Sequence, residues 1–141
     1  MNAQIVVKSI IFNKNRSRIL LLQRSSDDST GANTWEGSGG NIEYGETPEE
    51  AIKREIREEA GITDITVKNI AYVSLVKIGD KPHLIIAYIC ESQTETVTLS
   101  NEHGAFMWAD KEACKVMLPK AIIDDFDKNG IFQLFCNATD E

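Results

Sequence analysis

The sequence predicts an α/β fold in which helices pack on a mixed β-sheet. Two observations carry this. Apolar, β-branched stretches separated by turn signals fill the start and the third quarter of the chain, and one sharply bounded helix divides them. Two further helical segments close the chain, so the order is strands, helix, strands, helices rather than a repeating parallel unit. A length of 141 residues, 42% apolar, supports one core and one domain spanning residues 1–141.

The elements follow in order. Gln4–Phe12 is rich in β-branched residues and reads as a strand. Residues 13–17 are polar and turn-like, and residues 18–23 read as a second strand, so the two form a hairpin. A polar loop covers residues 24–33, and residues 37–40 are too glycine-rich for regular structure. Thr47 then caps a helix. Pro48 suits its first position, Glu50 completes a capping box, and Gly61 stops it. Residues 65–78 and 83–91 read as strands around a Gly79–Asp80 turn, with short strands at 96–99 and 105–109. Residues 111–115 and 121–128 read as helices, with Pro119 between them.

Composition narrows the function classes. A net charge of −7 offers no basic face to nucleic acid. The longest strongly apolar stretch, residues 84–90, is far short of a membrane span. The chain starts without a basic segment followed by an apolar run, which points to a cytoplasmic protein. Cys90, Cys114 and Cys136 lack CxxC spacing and read as reduced packing thiols.

The acid is clustered, with seven of the 22 acidic residues lying between Glu43 and Glu59. At about 100° per residue, Glu55, Glu58 and Glu59 share one side of the helix, beside an apolar stripe of Ile52, Ile56 and Ala60. Like charges beside a low-dielectric wall resist ionising together, and a hard cation relieves them. The absence of a His or Cys cluster argues against zinc and for Mg²⁺ (or Mn²⁺). A solvated face laced with Glu50–Arg54 and Arg54–Glu58 pairs is the competing account. Gly39 and Gly40, just upstream, permit a tight backbone approach to a metal or phosphate.

Residues 40–62 read as Gly40, five residues, Glu46, seven residues, then Arg54-Glu55-Ile56-Arg57-Glu58-Glu59-Ala60-Gly61-Ile62. This resembles the Nudix box, G-x5-E-x7-R-E-U-x-E-E-x-G-U, at all nine constrained positions. The resemblance implies a single Nudix hydrolase domain. Its fold is an α/β/α sandwich around a central mixed sheet, with the box forming loop–helix–loop. It also implies hydrolysis of the diphosphate linkage of a nucleoside diphosphate joined to another group. By position, Glu55, Glu58 and Glu59 resemble the metal ligands, assisted by the Gly40 carbonyl. Arg54 resembles the arginine that orients a carboxylate of the set, and Glu46 a structural position. Glu55 and Glu58 are candidate general bases. Glu102 is a third candidate and a further metal ligand, because some relatives place an acid in that loop.

Outside the box, Arg24 is a candidate phosphate contact and Trp35 a candidate for base stacking or for plugging the sheet edge. Relatives often carry an apolar residue and a proline before the two glycines, where this chain has Gly37 and Ser38. The proline of the ADP-ribose branch and the tyrosine of the diadenosine polyphosphate branch are missing from their places, and no coenzyme A signature is seen. By elimination the expected activity is that of a MutT-like (d)NTP pyrophosphohydrolase on a small nucleotide. Hydrolysis of ADP-ribose, nucleotide sugars or dinucleoside polyphosphates is the alternative, as is a non-catalytic nucleotide-binding regulator. The retained carboxylates weigh against that regulator. A homodimer is compatible with exposed strand edges and is not specified by any motif.

Overall fold

The computed structural model describes residues 2–136. Seven strands form one mixed sheet: β1 (Gln4–Phe12), β2 (Ile19–Arg24), β3 (Trp35–Glu36), β4 (Gly39–Asn41), β5 (Thr66–Ile78), β6 (Lys81–Glu91) and β7 (His103–Ala109). The helices are α1 (Pro48–Ala60), α2 (Lys111–Met117) and α3 (Lys120–Lys128). No helix among the described residues is long and apolar enough to cross a membrane.

Alternation along the central strands sends side chains to both faces, and both faces are covered. Val7, Ile11, Leu20 and Leu22 pack under α1 with Ile52, Ile56 and Ala60. Ile10, Phe12, Ile19 and Leu21 pack on the other face with Cys114, Leu118, Phe126 and Phe132. Burial on two sides explains why Ile19–Leu22 is a continuous apolar run instead of an alternating one. Cys90 and Cys114 are buried free thiols, and Cys136 is an exposed one.

The sheet is forked. β1 runs parallel to β6 along its whole length, and β5 pairs antiparallel on the far side of β6. The expected β1–β2 hairpin holds only at its base, where Phe12 pairs with Ile19. Beyond that pair the strands splay, because β2 takes β7 along one edge while residues 35–41 fill the gap on the other. β3 pairs with β2, and β4 pairs with β1 at Val6, Val7 and Lys8. Between them the Ser9 amide and hydroxyl both donate to the Ser38 carbonyl, at 2.9 and 2.8 Å.

Two sequence expectations are corrected here. Gly39 and Gly40, expected to be irregular, are strand residues. A side chain at Gly37 would collide with the Ser9 carbonyl, so glycine there serves close strand approach. Residues 96–99, expected to form a strand, do not. The Thr98 amide donates to the Ala60 carbonyl at 2.9 Å while Val97 and Leu99 pack into the α1-side core, so this segment is pinned to the helix end instead.

Candidate active site

Helix α1 is placed by local signals. Thr47 and Glu50 form both bonds of the capping box, and Gly61 ends the helix in the left-handed region at φ 69°. The apolar stripe docks Ile52, Ile56 and Ala60 at 0% exposure, which carries Glu59 into the core edge at 5%. Burial pushes the Glu59 carboxyl well above its ordinary range. Two hydrogen bonds to one oxygen oppose that shift: Ser38 Oγ donates to Oε1 at 2.7 Å and the Gly39 amide at 2.9 Å.

Glu55 stands one turn before Glu59, against the backbone of β4. Gly40 is what lets it come close, since a side chain there would lie 2.6 Å from the Glu55 carboxyl carbon. Burial raises the Glu55 pKa, partly offset by the Arg54 guanidinium. Arg54 organises this side of the helix. It binds Glu46 through two nitrogens at 2.6 and 3.0 Å, Glu55 at 2.9 Å, Glu58 at 3.2 Å and the Asn41 carbonyl at 3.1 Å. Of Glu55, Glu58 and Glu59, Glu58 is the most exposed, with a side chain 55% exposed.

Across the cleft, the turn before β7 presents Glu102, and β7 itself begins with His103. One carboxylate oxygen each of Glu59 and Glu102 and one ring nitrogen of His103 all lie within 4.8 Å of one another. His103 Nε2 is 2.9 Å from Glu36 Oε2. Glu36 is also held by Lys8 at 2.9 Å and Arg24 at 3.2 Å. Burial works against its ionisation, but these partners prevail and hold its pKa at about 2.

The resulting cleft, about 690 Å³, is lined by Arg24, Asp28, Glu36, Gly39, Gly40, Glu55, Glu59, Glu102 and His103. The structure thus brings Arg24, Gly39, Gly40, Glu55, Glu59 and Glu102 together. Arg54 and Glu58 are not in the lining; Arg54 bonds both Glu58 and the lining residue Glu55. Trp35 does not line this cleft. Its strand position puts it on the opposite face from Glu36, packed against the α2/α3-side core. Sequence reasoning missed Ser38, Glu36 and His103. The pairings of Glu36 and His103 with the rest of the site are set by β2 lying between β3 and β7, which no local motif encodes.

On the other sheet face, an apolar cavity of about 310 Å³ lies between the sheet and α3, with Leu21, Tyr72, Val76, Ile85, Ala87 and Ile122 in its wall. Gly37 lines this cavity while its neighbour Glu36 lines the acidic cleft, so one short segment separates the two.

Residues 3–128 match the family model of the NUDIX domain. The chain belongs to the Nudix hydrolase family. Its relatives include the nucleoside triphosphatase NudI of Enterobacter sp. (strain 638), 31% identical over 93% of this chain and 99% of that protein. Among solved structures, the MutT protein from Methanosarcina mazei Go1 superposes with a TM-score of 0.82 at 28% identity, covering 93% and 95% of the two chains. An Ap4A hydrolase from C. elegans shares the fold at a TM-score of 0.76 and 24% identity, covering 93% and 98%. Nudix hydrolases act on nucleoside diphosphate-linked substrates and need a divalent metal, and the acidic cleft is a fitting place to hold one.

Proposed function

We propose that this Nudix hydrolase cleaves nucleoside triphosphates to a nucleoside monophosphate and pyrophosphate. The observation that carries the reading is the common wall between the carboxylate cleft and the apolar cavity. It offers a phosphate chain and a nucleobase adjacent, chemically matched places. The full-length relative named a nucleoside triphosphatase supports the same substrate class.

The donor set fits Mg²⁺ (or Mn²⁺): Glu55, Glu58, Glu59 and Glu102, with the Gly40 carbonyl, are oxygen ligands. A bound cation would supply positive charge to the phosphate oxygens and acidify a bound water. The remaining work falls to the chain itself. Arg54 fixes the carboxylates of Glu55 and Glu58, and Ser38 with the Gly39 amide fixes Glu59. Arg24, steadied by Asp28 and Glu36, is the phosphate contact. Water attacks phosphorus, the bridging P–O bond breaks, and the water proton passes to a carboxylate. Glu55 is the strongest candidate for that base, since burial favours its protonated form and it lines the cleft.

The same reading takes residues 1–141 as one cytoplasmic domain acting on a small nucleotide, without nucleic acid or membrane. A homodimer through the free edge of β5 is testable by sedimentation.

The deciding experiment is a screen of (d)NTPs, oxidised nucleotides, ADP-ribose and dinucleoside polyphosphates with Mg²⁺ and Mn²⁺, resolving every product. Pyrophosphate with a monophosphate is the expected outcome; orthophosphate or a sugar phosphate as sole product refutes it. Glu58→Gln and Glu59→Gln should each abolish Mg²⁺-dependent turnover with an unchanged circular dichroism spectrum. Wild-type rates in both would sink the site assignment.

A further inference from the structure

We propose that His103 is itself a metal ligand, joining Glu59 and Glu102 in a mixed nitrogen–oxygen site suited to a transition ion such as Mn²⁺. The inference rests on the cleft being the hydrolase's metal site and adds a donor of a different kind to it.

The His103 side chain is 2% exposed, and its two ring nitrogens stand in different situations. Nε2 faces the Glu36 carboxylate at 2.9 Å. Glu36 is ion-paired to Lys8 at 2.9 Å and to Arg24 at 3.2 Å, so its carboxylate is an acceptor and Nε2 carries the proton of that bond. Nδ1 is buried and has no hydrogen-bond partner among the described residues. An unsatisfied buried polar atom costs about 1–3 kcal/mol and calls for an explanation in a native site.

The surroundings supply one. A histidine nitrogen lies within 4.8 Å of carboxylate oxygens of Glu59 and Glu102. With Nε2 taken by Glu36, Nδ1 is the nitrogen available. Donors sharing one ion at about 2.1 Å stand no more than about 4.2 Å apart, so the group needs to close by at most about 0.6 Å. On Glu59 the bonds from Ser38 and Gly39 both fall on Oε1, leaving Oε2 for a cation. A histidine that gives its far N–H to a carboxylate while its near nitrogen binds metal is a recurrent arrangement. The carboxylate fixes the tautomer and raises the basicity of the ligand. Glu36 fills that role here, held in place at the cleft wall by Lys8 and Arg24.

An imidazole donor changes the ion the site prefers. Mg²⁺ favours oxygen ligands alone, whereas Mn²⁺ and Co²⁺ accept nitrogen. His103→Asn should therefore weaken Mn²⁺ binding by about tenfold or more and Mg²⁺ binding by less than about threefold.

The test is pulsed electron paramagnetic resonance on the protein loaded with stoichiometric Mn²⁺. The chain has two histidines, His83 and His103, which makes the readout specific. We expect ¹⁴N modulation from a coordinated imidazole in the wild type and in His83→Asn, and its loss in His103→Asn. Bound Mn²⁺ without nitrogen modulation in the wild type overturns the inference, as does modulation that survives His103→Asn. A wild type that lacks modulation yet releases pyrophosphate from nucleoside triphosphates sinks the ligand and leaves the hydrolase standing. If His103→Asn does not fold, the wild type and His83→Asn decide between the two rings.

Discussion

Glu59 is held between opposing influences, since burial disfavours its charge and two short hydrogen bonds favour it. Ser38 supplies the shorter bond from a residue 1% exposed, at a position where relatives often carry proline. Ser38→Ala is expected to lower stability by about 1 kcal/mol in urea melts and to weaken Mn²⁺ binding several-fold by calorimetry. Glu36 invites a pH test. Its folded pKa of about 2 lies below the ordinary 4.5. Its ionised form therefore stabilises the fold fully above pH about 4.5, and that contribution fades as pH falls towards about 2. Glu36→Gln should cost at most about 3 kcal/mol at pH 7 and progressively less below pH 4, read from urea melts across pH. A penalty that grew on acidification would contradict this account. Neither residue announced itself in the sequence. Ser38 read as loop because its partner is 21 residues away, and Glu36 meets His103 across a separation of 67.

Helix α1 is the element whose structure was most legible, because its signals are local. Its cap, its proline and its terminating glycine lie within one turn of the ends they define. Thr47→Ala should cost about 1 kcal/mol. Gly61→Ala should cost about 1–2 kcal/mol, since φ is 69° and an added methyl would lie 3.1 Å from the Thr98 side chain. Thermal melts that leave Gly61→Ala at the wild-type midpoint would refute the strain argument. The short strands were illegible for the opposite reason. β3 and β4 have two and three residues, too few for a pattern, and exist because β1 and β2 part and leave edges to be filled. At 96–99 the β-branched residues spoke for a strand, but the end of α1 and the core claimed the backbone and the side chains first.

Over the whole molecule, the chain order of strands and helices gave the α/β class with helices on a mixed sheet but not the site. Glu55 and Glu59, which the box singles out, line the cleft. The opposite wall, with Glu102 and His103, depends on β7 pairing with β2. The apolar cavity is likewise global, formed by β2, β5, β6 and α3 closing on one face. Ala121, exposed on α3 at the edge of this cavity, gives a clean probe. Ala121→Trp should raise KM for nucleoside triphosphates about tenfold, equivalent to about 1.4 kcal/mol, while Mn²⁺ affinity stays at the wild-type value. Steady-state kinetics beside a metal titration would check both halves, and an unchanged KM would remove the cavity from the substrate path.

The fork between β1 and β2 gives the molecule a seam. Residues 35–41 are stitched into it largely by main-chain bonds to strands on either side, so the stitching tolerates changes in the walls it separates. The carboxylates belong to one wall and the apolar cavity to the other. A combinatorial library confined to Tyr72, Val76, Ile85, Ala121 and Ile122 should therefore redistribute nucleotide preference without disturbing the bond that is cut. What the protein recognises and what it breaks can be inherited, and engineered, as separate traits.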